Sequence, residues 1–154
     1  MLKTAHLDKI PVVVLAQSKM LPLTYNLKVR MNMNNDVEVM LYVSDVNREA
    51  DFWVSLGFVE RDRQDMGETE MVQVAPSEDG AFALNIFDRE FIKENSPEVV
   101  DNVPSIMFHS DDVDALYNKM TELNVEKGEL VEMGLQKVFN FANPDGLYFG
   151  VSGI

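Results

Sequence analysis

A single offset carries Val39 onto Ile106, Met40 onto Met107, Leu41 onto Phe108, Asp45 onto Asp112, Val46 onto Val113, Trp53 onto Met120, Leu56 onto Leu123, Gly57 onto Asn124 and Phe58 onto Val125. A chain that repeats its own punctuation in this way consists of two copies of one supersecondary unit. In the first copy VEVMLYV alternates, with Val37, Val39, Leu41 and Val43 on one face and Glu38, Met40 and Tyr42 on the other. That is the period of a strand with one aliphatic and one mixed face. Asp45 can cap a helix over 45–56, where Val46, Ala50, Trp53 and Leu56 recur at helical spacing and Gly57 supplies a left-handed stop. Strands are expected over 58–65, 70–75 and, after the turn PSEDG, 81–88.

The unit therefore reads βαβββ, and the second copy repeats it. Helix 112–123 carries Val113, Leu116, Met120 and Leu123, with Asn124 as the other residue type that tolerates a left-handed stop. Strands are expected near 126–132, 135–142 and 147–153. The polar segment 89–104, with Pro97 and Pro104 and room for one short helix, joins the two modules, about 36–88 and 105–154. The expected fold is α+β, with tandem βαβββ modules forming a cupped mixed sheet.

Composition narrows the function. The chain has 154 residues, no cysteine and a formal charge of -13. Disulfides, thiolate metal sites and cysteine nucleophiles are thereby excluded, and a reducing compartment, the cytoplasm, is expected. Acidity of this size argues against nucleic acid or anionic lipid as partners, since both require a basic patch. The apolar run Ile10–Ala16 is too short to span a bilayer. Charge is uneven: residues 1–35 hold 5 of the 13 basic side chains and 1 of the 26 acidic ones. That segment, ending in MNMNN, is read as an arm outside the fold. It is either a start-site artefact, with translation beginning near Met31, or a basic segment that docks on the acidic domain or a partner.

Each sheet has one face covered by its own helix and one left over. The leftover positions are Glu38, Met40, Tyr42, Ala83, Asn85, Phe87, Ser105, Met107, His109, Tyr148, Gly150 and Ser152. Together they would line a mostly apolar concavity with a few polar groups, the usual furnishing of a small-molecule pocket. The segments YVSDVNREADFWVSLGF (Tyr42–Phe58) and FANPDGLYF (Phe141–Phe149), set in two βαβββ units, resemble the glyoxalase/bleomycin-resistance/extradiol-dioxygenase superfamily, the vicinal oxygen chelate proteins, over about residues 36–154. The resemblance implies the fold, a homodimer and a small-molecule ligand. It does not choose among isomerases, dioxygenases, epimerases, thiol transferases and proteins that only sequester drugs.

In metal-dependent members of that superfamily, ligands project inward from the first and last strands of each module. Carried onto this sequence, the positions are Glu38, Asn85, Ser105 and Gly150, where the resemblance implies glutamate at the last. One carboxylate, one amide, one hydroxyl and no side chain make a poor set for a divalent cation, so no cofactor is expected. Binding without metal, in the manner of bleomycin-resistance proteins and with a cationic or aromatic ligand, is the leading reading. The alternative is a lyase, isomerase or dioxygenase-type enzyme with a divergent metal or acid–base site, in which Glu38 and His109 are the candidate catalytic groups. Each also has a plainer role, Glu38 as a counter-charge or solvated strand end and His109 as a cavity-wall residue. The Asp111–Asp114 cluster sits at a helix start, where capping explains it. Trp53, on the helix stripe, reads as core. The other histidine, His6, lies in the arm.

Overall fold

A computed structural model describes residues 33–154. The expected arm therefore lies outside the described residues, apart from its last few. The first module comprises β1 (Val37–Val43), α1 (Val46–Ser55), β2 (Val59–Asp65), β3 (Glu70–Ala75) and β4 (Phe82–Asp88). A connecting helix, α2 (Arg89–Asn95), leads to the second module: β5 (Met107–Ser110), α3 (Val113–Glu122), β6 (Val131–Met133), β7 (Gln136–Ala142) and β8 (Tyr148–Gly153). The strands form two four-stranded mixed sheets, ordered β1-β4-β3-β2 and β5-β8-β7-β6. In each the first and last strands of the module are parallel neighbours and the other pairs are antiparallel.

The repeat holds at the level of single hydrogen bonds. Asp45 accepts from the Arg48 amide at 3.0 Å, and Asp112 accepts from the Ala115 amide at 2.9 Å. Each carboxylate satisfies one of the four amides that a helix start leaves unpaired. Past the helices, Gly57 has φ 104° and Asn124 has φ 55°, so both stops use the left-handed conformation that glycine and asparagine tolerate.

One strand is much shorter than expected. The strand expected over 126–132 contracts to Val131–Met133, and before it only local contacts tie the chain to β7, such as Gly128 N–H to the Asn140 carbonyl at 2.8 Å. Glu126, Lys127, Gly128 and Glu129 offer no alternating apolar face to fix a longer register.

The two modules share one core. Leu41, Val43, Val72, Val74, Leu84 and Ile86 from the helix side of the first sheet join Val113 and Met120 of α3 and Phe139, Phe141, Phe149 and Val151 of the second sheet. Trp53 sits at the junction, fully buried, with ring centroids at 4.9 Å from Phe58, 5.0 Å from Phe149, 5.7 Å from Phe108 and 5.8 Å from Phe141. A polar clasp accompanies these rings. Asn143 donates to Glu49 Oε1 at 2.8 Å, and Asp145 accepts from the Ser44 amide at 2.7 Å and from its hydroxyl at 2.5 Å. Because the helix sides meet in the middle, the mixed faces of the two sheets lie on opposite sides of the core. The single concavity expected from all the leftover positions is thus divided between two outward faces.

Candidate functional site

The mixed face of the first sheet has an apolar end and a polar end. At the apolar end Tyr42 of β1 pairs in register with Phe87 of β4, their ring centroids 6.4 Å apart. Met71, Ile92 and Val100 complete a second, smaller core there, with Met40 packed against it. The linker helix α2, which supplies Ile92, covers this end, so Tyr42 and Phe87 are buried walls rather than open lining. Burial raises the Tyr42 hydroxyl above the usual phenol range.

At the polar end three side chains from three adjacent strands interlock. The buried Asn85 of β4 donates from Nδ2 to Glu38 Oε2 at 2.9 Å and approaches Met40 Sδ at 3.7 Å. Gln73 of β3, opposite Asn85 in the ladder, donates from Nε2 to Glu38 Oε1 at 3.0 Å and to Asn85 Oδ1 at 2.9 Å. Both oxygens of the exposed Glu38 are therefore held by amide N–H groups. Asp62 of β2, opposite Gln73 in the ladder, brings a second carboxylate to the same face and accepts from Gln64 Nε2 at 2.9 Å. Gln73 had a signal in the sequence: a polar residue in the middle of EMVQVA, in phase with Asn85.

The second sheet carries the other predicted positions. Met107 and His109 of β5 lie in register with Gly150 and Ser152 of β8, and Asn140 of β7 stands opposite Gly150. Met107 is 49% exposed and Tyr148 is 55% exposed, with its hydroxyl donating to Glu126 Oε1 at 2.9 Å. Ser152 reaches Gln136 Oε1 at 3.4 Å. Ser105 precedes β5 and is exposed. A Cβ added at Gly150 would stand 2.9 Å from Met107 Sδ and Cε and 3.4 Å from Asn140 Oδ1. The thioether of Met107 thus occupies the space where a side chain at 150 would begin.

The four positions that the family resemblance pairs with a metal do not fit one here. Gly150 offers no side chain and Ser105 a lone hydroxyl, the Asn85 amide oxygen already accepts from Gln73, and the single good donor, Glu38, already accepts from two amides. Among the described residues no group of three or more His, Cys, Asp or Glu side chains is placed to hold a metal ion. Nor does the acidic cluster at 111–114 form such a site, since Asp112 caps α3 and Asp114 pairs with Lys137. Among the described residues nothing hydrogen-bonds to the exposed His109 ring, so it has no orienting partner of the kind a general base uses.

Two further features were not foreseen. Glu49, on the first turn of α1, is 1% exposed; its Oε1 accepts from the Trp53 indole at 2.9 Å and from Asn143, while Oε2 has no partner among the described residues. Burial raises its pKa, and the bonds from Asn143 and Trp53 offset part of the rise. The i, i+4 spacing of Glu49 and Trp53 was the available clue. The second feature is a cavity of about 350 Å³ between the modules, lined by Trp53, Leu56, Phe58, Phe82, Phe108, Leu116, Met120 and Phe141 among others, with Met107 and His109 also on its wall.

A family model described as the Glyoxalase/Bleomycin resistance protein/Dioxygenase superfamily matches residues 37–151. No curated protein is significantly similar in sequence. Solved structures share the fold. TnmS3, an antibiotic binding protein from Streptomyces, is 22% identical with a TM-score of 0.65, over 79% of this chain and 96% of that one. A superfamily member from Sphaerobacter thermophilus is 23% identical with a TM-score of 0.64, over 80% and 99%. The fosfomycin resistance protein FosX from Listeria monocytogenes is 15% identical with a TM-score of 0.60, over 80% and 95%. Among the described residues no helix is long and apolar enough to cross a membrane.

Proposed function

The chain belongs to the glyoxalase/bleomycin resistance protein/dioxygenase superfamily, and on that premise we propose that it binds a small molecule without a metal ion, as a drug-sequestering protein does. One observation carries this reading: the only good donor of the expected ligand set, Glu38, is held by Asn85 and Gln73, while Met107 lies across Gly150. Among the described residues no group of three or more carboxylate or imidazole donors gathers at Glu38, whereas a cationic group on an organic ligand needs only a fixed counter-charge beside an apolar platform. Met40 lies next to that carboxylate. The acidity of the domain adds a long-range field that concentrates cations.

A second copy completes the site. Met107, Val131, Met133 and Tyr148 are exposed on the mixed face of the second sheet, and covering them with the mixed face of another copy's first sheet would place Glu38 and Asn85 opposite Met107 and Gly150. This gives a homodimer with two cavities, each built from both chains, in the cytoplasm. Antibiotic binding by the Streptomyces protein of the same fold supports a small-molecule ligand.

Thermal unfolding across a panel of cationic aromatic antibiotics, with and without chelator, tests the proposal. A ligand at about one hundred times its Kd stabilises the folded state by about 2.7 kcal/mol. For a chain of this size that corresponds to a rise of about 5–10 °C. The rise should survive chelator and shrink in Glu38→Gln. If no compound raises the melting temperature the proposal fails, and a rise that chelator abolishes favours a metal-dependent enzyme instead.

A further inference from the structure

The cavity between the modules lies on their helix sides and meets the mixed face of the second sheet only at Met107 and His109. Its lining is drawn from the helix-side residues of both modules: Trp53 from α1, Leu116 and Met120 from α3, Phe141 from β7 and Phe108 from β5, together with Phe58 at the entry to β2. Its volume of about 350 Å³ falls in the range of small-molecule pockets, and a single chain forms it.

The chemistry of the wall is specific. Among the described residues no Asp, Glu, Lys or Arg lines the cavity, although the chain carries a net charge of -13. The indole N–H of Trp53 donates to Glu49 Oε1 at 2.9 Å and is not free to bind a ligand. Among the described residues His109 is the one titratable residue on the wall. Phe58, Phe108 and Leu116 pack on the core yet remain only partly buried, so the cavity leaves apolar surface open to water.

From this wall we infer a second binding site, for a neutral aromatic or aliphatic molecule. A charged ligand would lose its hydration there without a counter-charge to replace it, and an anion would also be repelled by the field of the domain. An apolar ligand loses no hydrogen bonds and displaces water from surfaces already in place. The ring edges and faces of Phe58, Phe108 and Phe141 around Trp53 suit an aromatic guest.

Trp53, the only tryptophan of the chain, reports directly on occupancy. The probe is N-phenyl-1-naphthylamine, a neutral dye that accepts excitation energy from a nearby indole and brightens in apolar surroundings. Titrated into the full chain, it should bind saturably at one per chain, quench Trp53 and emit by energy transfer. Leu116→Phe and Leu56→Phe each fill the space and should weaken binding at least tenfold. Leu135→Gln, at a side chain 94% exposed and outside the cavity's lining, should leave it within twofold. Dye that brightens without quenching Trp53, or that binds both filled variants as tightly as the native chain, would overturn the inference, as would the absence of saturable binding. The native titration alone decides the matter if a filled variant does not fold. The dye titration uses the chain without any cationic ligand, so failure at either site is read independently.

Discussion

Replacing Glu49 separates what its buried carboxyl contributes as a hydrogen-bond acceptor from what it contributes as a titrating group. Its Oε1 accepts from the Trp53 indole at 2.9 Å and the Asn143 amide at 2.8 Å, joining helix α1 to the turn before β8. Burial raises the folded-state pKa above the unfolded carboxyl value of about 4.3. Between those two values the folded chain binds more protons than the unfolded chain. The contribution of Glu49 to stability is then fully present below the unfolded pKa and is lost as pH rises through the folded one. Every tenfold difference in proton affinity between the states is worth about 1.4 kcal/mol. Glu49→Gln keeps an acceptor for both donors and removes the ionisation. It should stay within about 1 kcal/mol of the native chain at acid pH and gain on it steadily as pH rises through the window. Glu49→Ala strands two buried donors at about 1–3 kcal/mol each and should lose about 2–6 kcal/mol. Urea unfolding followed by Trp53 emission, repeated from acid to mildly alkaline pH, measures both variants. The many other carboxylates titrate equally in each variant, so the difference from native isolates Glu49. A Glu49→Gln curve parallel to the native one, or a Glu49→Ala loss below about 1 kcal/mol, would refute the reasoning.

The two helix caps predict equal losses: Asp45→Ala and Asp112→Ala should each cost about 1 kcal/mol in urea unfolding, since each removes one carboxylate-to-amide bond at an equivalent site. Gly150→Ala and Gly153→Ala should differ sharply. A Cβ at 150 meets the flexible end of Met107, which can swing aside for about 1 kcal/mol or less, whereas a Cβ at 153 stands 1.8 Å from the Ser110 carbonyl oxygen, backbone that cannot yield without parting β5 from β8. The second variant should lose more than about 3 kcal/mol by the same assay.

Most of the fold was legible because its signals were local and duplicated. Asp45 with Gly57 and Asp112 with Asn124 bracket the two helices, and the alternation of VEVMLYV and FALNIF orients the strands that carry the mixed face. The short β6 was not legible, since Glu126–Glu129 alternate in no useful way and only the partner strand decides where pairing begins. Which positions share a face could be read from parity, and parity placed Glu38 with Asn85 and Met107 with Gly150. Parity could not place the two faces relative to one another. That depends on Trp53, Phe108, Phe141 and Phe149 packing the helix sides together, a contact between residues far apart in sequence. Gln73 and Glu49 were missed for a related reason: each gains its role from partners on other strands or in the other module.

Equilibrium dialysis of the full chain against Ni, Zn, Mn and Fe(II), with elemental analysis of what the protein retains, tests the central claim most directly. With Glu38 already held by two amides and Gly150 contributing no donor, well under one equivalent of any metal should remain bound. One equivalent per chain, released when Glu38 is changed to Gln, would contradict it.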